Sequence, residues 1–560
     1  LSTERRRALT AVVVALALAA TLVCWRFAPP APRPLDAPAE QFSAARAHDQ
    51  LAAVLRGTGP HPTGTRENVK VRRRIADRLV RLGYTPRTQS SVACGNHGDC
   101  MEVENLLVEL GEGPDVVLVA AHYDSVGAGP GASDDGVGVA VLLEVARAVA
   151  DLEPENTLVL LFTDAEEQGL FGASHFMRTP LGRRVKAVVN VDNRGTSGPS
   201  LMFETAGATS ALAPLLNELP RPITSSLFGG VYELLPNDTD FTRFRAGGAA
   251  GFNFAMIGDL ASYHTDRDDL HRVSDASLQH HGENVLALTR ALARRDLRAL
   301  ARGHREVYFD WLGFVVVRWP ESYAPPLSVF VLIALLAAVV AAARKEERWV
   351  VSLVGAMGWG LLFVLLPVVF GVLLVVGVGA MRTGLMPVHA ALVLPGLAVV
   401  LFVVALVLAL GPRVSRGGLW LRFSGSWLPL AVGALVVSVA FPPASHLLVV
   451  PTGIAAAVAL AGTLGGASPT LVAVSAFFTG TLWFRVISGV TAAVNVNAMP
   501  VIGLALALIA LPLLAVTVAP PPSALRLVAP GSLVAVVAAL GYPNYDADSP
   551  QRASVVHVVF

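Results

Sequence analysis

The run Asp115-Val-Val-Leu-Val-Ala-Ala-His122-Tyr-Asp124-Ser-Val126 decides how this chain is read. Its apolar stretch from Val116 to Ala121 ends abruptly in His122, Tyr123 and Asp124. A continuous apolar run of that length is a strand buried on both faces, as in a parallel sheet covered by helices. A Gly-rich loop carrying Ser133, Asp134 and Asp135 follows, and then an amphipathic helix from Val137 to Leu152.

Outward from this unit the alternation continues. Strands are expected at Thr157 to Thr163, Val185 to Val191 and Gly251 to Ile257, with helices near Leu170 to Met177 and from Asp275 to about Arg302. The predicted fold class is α/β, a mostly parallel twisted sheet with helices on both faces. In such sheets the working residues collect beyond the carboxyl ends of the strands. The polar clusters fall there: His122 to Asp124 after the first strand, Asp164, Glu166 and Glu167 after the second, Asp192 after the third, and Tyr263 to Asp266 shortly after the fourth. Four strand ends that direct acids and imidazoles at one crevice are costly unless positive charge sits among them. Two divalent metals meet that demand, and imidazole plus carboxylate without thiolate suits zinc in an open catalytic site. Two histidines and three carboxylates suffice for two metals if one carboxylate bridges.

The strings Ala-His-Tyr-Asp-Ser-Val at 121–126, Gly-Ala-Ser-Asp-Asp-Gly-Val-Gly at 131–138, Thr-Asp-Ala-Glu-Glu-Gln-Gly at 163–169, Asn-Val-Asp at 190–192 and Tyr-His-Thr-Asp at 263–266 resemble metallopeptidase family 28, the co-catalytic di-zinc aminopeptidases and related carboxypeptidases. The resemblance implies a zinc-exopeptidase fold in which His122 and Asp192 bind one Zn(2+) ion, Glu167 and His264 bind the other, and Asp134 bridges them. It implies Glu166 as general base, Asp124 as the carboxylate orienting His122, and Tyr263 at a position that in some members polarises the scissile carbonyl. Asp135 is read as structural. His61, His175, His280 and His281 are not expected to be ligands; adjacent histidines on one helix point to different faces.

The rest of the chain is of another kind. Of 560 residues 53% are hydrophobic and 15% charged, too apolar for a wholly soluble protein of this length. Residues 38–310 hold nearly all the acids and histidines, and 325–541 are runs of Val, Leu, Ala and Gly. The expected organisation is an anchor and Pro-rich spacer at 1–37, a peptidase domain at 38–310, a bundle of about eight helices at 325–541 and the start of a further segment at 542–560. Beyond the anchor at Ala8 to Cys24, the spans are near Leu327 to Ala343, Val350 to Met381, His389 to Leu410, Trp427 to Phe441, Leu447 to Leu464, Leu471 to Val490, Ala498 to Val518 and Ser532 to Leu540. The span from Val350 is long enough to conceal a break at Pro367. Ala553 to Phe560 reads as a strand that stops abruptly, as in a piece of a longer protein. A cleaved signal peptide is the alternative reading of the first segment. This architecture resembles a narrower, multi-spanning group of the endoplasmic reticulum metallopeptidase and vacuolar membrane protease type.

With Arg5, Arg6 and Arg7 inside, the peptidase domain falls outside and Arg344, Lys345, Arg348, Arg413, Arg416, Arg422 and Arg526 return inside, as the positive-inside rule requires. Arg485, inside an apolar helix, is either functional or snorkels to the interface. Net charge of +1 and the absence of a basic, aromatic-interleaved patch exclude nucleic acid as a partner. The expected partners are a peptide substrate and membrane lipid. Lysine occurs only at Lys70, Lys186 and Lys345, so the positive charge is almost wholly Arg, a trait of GC-rich bacterial genomes. Cys94 and Cys100 bracket a short loop and suit either a local disulfide or two thiols. The function expected is a membrane-anchored exopeptidase, an aminopeptidase first, with a carboxypeptidase or dipeptidase of the same family, or a ligand-binding domain serving a transporter-like bundle, as alternatives.

Overall fold

A computed structural model describes residues 3–94, 100–235, 237–381, 390–414, 417–493 and 496–517. The described residues divide into two compact units, one of residues 3–27 with 321–517 and the other of 28–320.

The first unit opens with α1 (Thr3–Phe27). The second holds α2 (Ala44–Leu55), α3 (Arg66–Arg81), α4 (Gly136–Ala148), α5 (Phe171–Arg178), α6 (Thr209–Leu212), α7 (Ser226–Tyr232), α8 (Asp240–Ala246) and α9 (Asp275–Ala293). Its strands are β1 (Arg87–Cys94), β2 (Cys100–Leu110), β3 (Val116–His122), β4 (Thr157–Thr163), β5 (Val185–Val191), β6 (Ser197–Ala206), β7 (Ala250–Gly258), β8 (Glu306–Trp311) and β9 (Val315–Pro320). Seven strands form one sheet in the order β1-β2-β4-β3-β5-β7-β6, and β8 and β9 form a separate hairpin. The centre, β4-β3-β5-β7, is parallel. The edges are antiparallel.

Side chains alternate across the strands, so each central strand feeds two cores. Val117, Val119 and Ala121 of β3 join Leu158, Leu160 and Phe162 of β4 under α2, α4 and α9. Val116, Leu118 and Ala120 pack with Val159 and Leu161 against Ala173 and Phe176 of α5 and Phe241 and Phe244 of α8. This explains the unbroken apolar runs: both faces are dry. Three expectations shift in detail. The sheet edges run antiparallel, and β6, which follows β5 in sequence, lies at the edge beside β7. The last helix ends at Ala293 rather than near Arg302, because Arg294, Arg295 and Asp296 follow and the Asp296 carboxylate accepts the Arg298 amide to start a separate 3-10 turn. The helix after the Gly-rich loop ends at Ala148.

The first unit continues with α10 (Ala324–Ala343), α11 (Trp349–Met381), α12 (Ala390–Val414), α13 (Leu419–Ala440), α14 (His446–Leu464), α15 (Val472–Ala493) and α16 (Met499–Val516). Among the described residues seven helices, α1 included, are long and apolar enough to cross a membrane, and Pro395–Leu410 is a shorter apolar helix. The protein is a membrane protein. The expected span at Ser532 to Leu540 and the strand from Ala553 lie outside the described residues. Pro367 is accommodated inside α11 without ending it. There the helices approach closely through glycine: a Cβ at Gly503 would meet the Pro367 carbonyl oxygen at 2.3 Å and one at Gly371 the Met499 backbone at 2.6 Å. Small residues permit such crossings in lipid. The Arg485 guanidinium carbon stands 4.8 Å from the centre of the Phe27 ring.

Candidate metal centre

Each parallel strand delivers one part of the site. β3 ends on His122, and the Tyr123 amide donates to the Thr163 carbonyl of β4 (2.9 Å), fixing the two strand ends side by side. Asp135 caps α4 by accepting the Gly138 amide (3.0 Å), which sets Asp134 immediately before the helix. Asp268 holds that loop from the far side, accepting the Ser133 amide at 2.6 Å and the Asp134 amide at 3.0 Å. After β4 the chain turns through Ala165 at φ +58°, a left-handed value unusual for a residue with a Cβ, and presents Glu166 and Glu167. Asp192 follows β5, its amide donating to Phe254 of β7 (3.0 Å).

The side chains converge. The two carboxylate oxygens of Asp134 face different imidazoles: Oδ1 lies 3.2 Å from His122 Nε2, and Oδ2 lies 3.0 Å from His264 Nε2. Glu167 Oε1 lies 3.3 Å from His264 Nε2, and ligand atoms of His122, Asp134 and Glu167 fall within 4.8 Å of one another. Although close, Glu167 Oε1 and His264 Nε2 lack hydrogen-bond geometry, and both are buried without a hydrogen-bond partner among the described residues. Buried polar atoms aimed at one another but unsatisfied fit a cation between them.

The electrostatics agree. Burial raises the pKa of Glu166 and Asp192 well above the carboxylate range, and neighbouring acids push the same way against the opposing influence of His122. Burial and the Asp134 charge likewise raise Glu167. His264 is disfavoured as a cation by burial, yet the adjacent Asp134 and Glu167 carboxylates carry it up to about 10. His122 shows the same contest, with Asp124 and Asp134 overcoming burial. So many acids competing for so few protons is the signature of a site built around positive charge.

The carboxylate of Asp124 accepts the amides of Glu166 (3.1 Å) and Glu167 (3.2 Å). His122 Nδ1 lies 3.0 Å from the Asp124 carbonyl oxygen and 3.6 Å from its Oδ1. Asp124 thus holds the backbone that carries Glu166 and Glu167 as well as neighbouring the imidazole. Tyr263 stacks on His264 with ring centres 3.8 Å apart. Outside the cluster, His280 Nε2 lies 2.8 Å from the Arg221 carbonyl and His281 Nδ1 lies 2.7 Å from Ser200 Oγ, joining α9 to the β6 region. His61 is buried and its amide donates to Ser125 Oγ (2.8 Å); His175 is partly exposed on α5.

Four residues near the site escape sequence reasoning. Asp268 follows the Tyr-His-Thr-Asp string closely, and a further acid there was the available signal. Asp240, buried and accepting from Thr163 Oγ1 at 2.5 Å, starts α8 in a stretch with no legible pattern. Arg194 and Tyr232 flank that same stretch.

Imidazoles and carboxylates gathered beyond the carboxyl ends of parallel strands are a donor set that fits a divalent metal. More narrowly, residues 105–289 match the model of Peptidase family M28. Over 230 residues it is 34% identical to endoplasmic reticulum metallopeptidase 1 of Rattus norvegicus, covering 39% of this chain and 26% of that protein. It is 29% identical over 285 residues to the vacuolar membrane protease of Candida albicans (strain WO-1), covering 50% of this chain and 32% of that protein. The chain therefore spans about a quarter to a third of the curated relatives it matches. Among solved structures it is similar to an aminopeptidase from Aneurinibacillus sp. strain AM-1, with TM-score 0.38 and 14% identity, covering 46% of this chain and 96% of that one.

Proposed function

We propose that this chain is a membrane-anchored zinc metallo-exopeptidase that releases N-terminal residues from peptides, with two Zn(2+) ions in the centre. The supporting observation is Asp134, whose two oxygens face His122 at 3.2 Å and His264 at 3.0 Å. A carboxylate shared between two imidazole-bearing positions is the geometry of a bridge. In this reading His122, Asp192 and Asp134 hold one ion, and Glu167, His264 and Asp134 hold the other. When bound, such ions supply Lewis acidity and make water nucleophilic near neutral pH.

The chain's own groups do the rest. Glu166 takes a proton from the attacking water and returns it to the leaving amine. Asp124 keeps Glu166 and Glu167 in place through their amides. Tyr263, whose hydroxyl burial and the Asp134 charge keep protonated, is placed beside His264 to donate to the scissile carbonyl. The Cys94–Cys100 disulfide and the distribution of Arg and Lys support an extracytoplasmic peptidase domain, periplasmic or extracellular in a bacterium.

The test uses the full chain in detergent, with metal content by mass spectrometry and N-terminal release from a peptide library. Glu166→Gln is expected to keep its metals and lose turnover. Asp134→Ala is expected to lose both. Equal metal content and equal inactivity in the two variants overturn the assignment.

A further inference from the structure

Arg194 stands two residues beyond Asp192, and the chemistry above does not use it. It is half-buried, and its Nε is withdrawn from solvent without a hydrogen-bond partner among the described residues. Its Cζ lies 5.0 Å from the centre of the Tyr263 ring, which stacks on His264. The guanidinium is thus within reach of a bound peptide one to two residues long, at about 3.3–3.6 Å per residue.

Arg194 does not neutralise the acids around it. Glu204 pairs with Arg245 (2.8 Å), Asp268 takes the Ser133 and Asp134 amides, and Asp124 takes those of Glu166 and Glu167. Among the described residues Arg194 forms no ion pair, unlike Arg46, Arg147, Arg245 and Arg318. Its backbone is nonetheless held firmly. The Arg194 amide donates to the Met256 carbonyl (3.0 Å), and the Asn193 side chain donates to Asp135 (3.1 Å) and accepts from the Met256 amide (2.9 Å). A guanidinium fixed beside a reaction centre and left without a counter-ion is prepared for an anion that arrives with the substrate. It repels an α-ammonium, so the residue it meets is the one on the leaving-group side.

We propose that Arg194 binds a carboxylate of the peptide on the leaving-group side of the scissile bond, so that short peptides ending there, dipeptides and tripeptides, are the preferred substrates. This rests on the exopeptidase reading. The carboxylate has two possible sources, the free C-terminus or an acidic side chain, and the test separates them.

The zinc-loaded full chain in detergent is assayed for kcat/KM on Leu-Ala, on Leu-Ala amide and on Leu-Asp amide. The wild type is expected to favour Leu-Ala over its amide by about 10- to 100-fold, the range of a charge-assisted hydrogen bond. Arg194→Gln is expected to lose most of that ratio and Arg194→Lys to keep part of it. Recovery of the rate by Leu-Asp amide assigns the subsite to a side-chain carboxylate; its failure to recover assigns it to the terminus. Equal rates for Leu-Ala, Leu-Ala amide and Leu-Asp amide in the wild type, or unchanged ratios among them in Arg194→Gln, overturn the proposal. Calorimetric binding of the same peptides to Glu166→Gln separates this from the wider reading. If the wild type cleaves nothing while an affinity preference for a carboxylate-bearing peptide stands, the peptidase reading fails and the subsite survives; equal affinities for all three peptides overturn the subsite.

Discussion

Replacing Asp124 by Asn tests the claim that one buried carboxylate organises the base and a metal ligand together. The side chain is wholly buried, and its oxygens accept the Glu166 amide at 3.1 Å and the Glu167 amide at 3.2 Å. In Asp124→Asn one oxygen becomes an NH2 group that faces a backbone N–H, while the other keeps only a neutral hydrogen bond. Losing one charge-assisted bond and weakening the second costs about 2–3 kcal/mol, or roughly 30- to 150-fold in the equilibrium that places Glu166 and Glu167. Because Glu167 and His122 both neighbour Asp124, zinc affinity is expected to fall about 10- to 100-fold. Saturating zinc does not restore kcat fully, because Glu166 is displaced as well. Zinc affinity is measured by competition with a fluorescent chelator and kcat is measured at saturating zinc. Asp124→Ala, which leaves both amides unpaired, is expected to lose more. Zinc affinity and kcat both within about threefold of wild type in Asp124→Asn refute the reasoning, since that difference is less than 1 kcal/mol.

Three further outcomes are expected. Leu118→Ala, in the core between the sheet and α5 and α8, destabilises the domain by about 2–5 kcal/mol, read by denaturant unfolding, through lost burial and a cavity. In chelator-treated protein, stability falls as pH rises from about 4 to about 7: burial and the Asp124 charge raise Asp164 to about 7, so the folded state binds a proton there that the unfolded state has lost. Asp164→Asn flattens that decline in the thermal midpoint, and an unchanged slope counts against it. Replacing Cys94 and Cys100 by Ser opens a loop with sequence separation 6 and costs up to about 2 kcal/mol on loop-entropy grounds, with zinc content unchanged; loss of metal would tie this hairpin to the site.

Much of the candidate site was legible in one dimension because strand, turn and polar cluster are contiguous. His122 and Asp124 sit at the end of an apolar run, and Asp134 and Asp135 precede the glycine-rich start of a helix. Local order alone therefore placed Glu166, Glu167, Asp192 and His264 at strand ends. What one dimension did not reveal is which strand lies beside which. β6 has a mixed burial pattern and follows β5 directly, yet pairs with β7 at the sheet edge. Apolar periodicity reports dry against wet faces, and it does not name the partner.

By itself the sequence determined the two unlike units, the dry parallel strands and the set of imidazoles and carboxylates, because burial and ligand chemistry are properties of residue type and spacing. Tertiary structure alone decided that Asp134 faces two imidazoles at once, that Asp124 turns its carboxylate to the Glu166 and Glu167 amides, that Asp268 reaches back 134 residues to the Asp134 amide, and that Arg194 stands beside Tyr263 without a counter-ion among the described residues. Each of these depends on distances between segments far apart in the chain. Such distances are settled only when the sheet order is settled and the side chains compete for the same few ångströms.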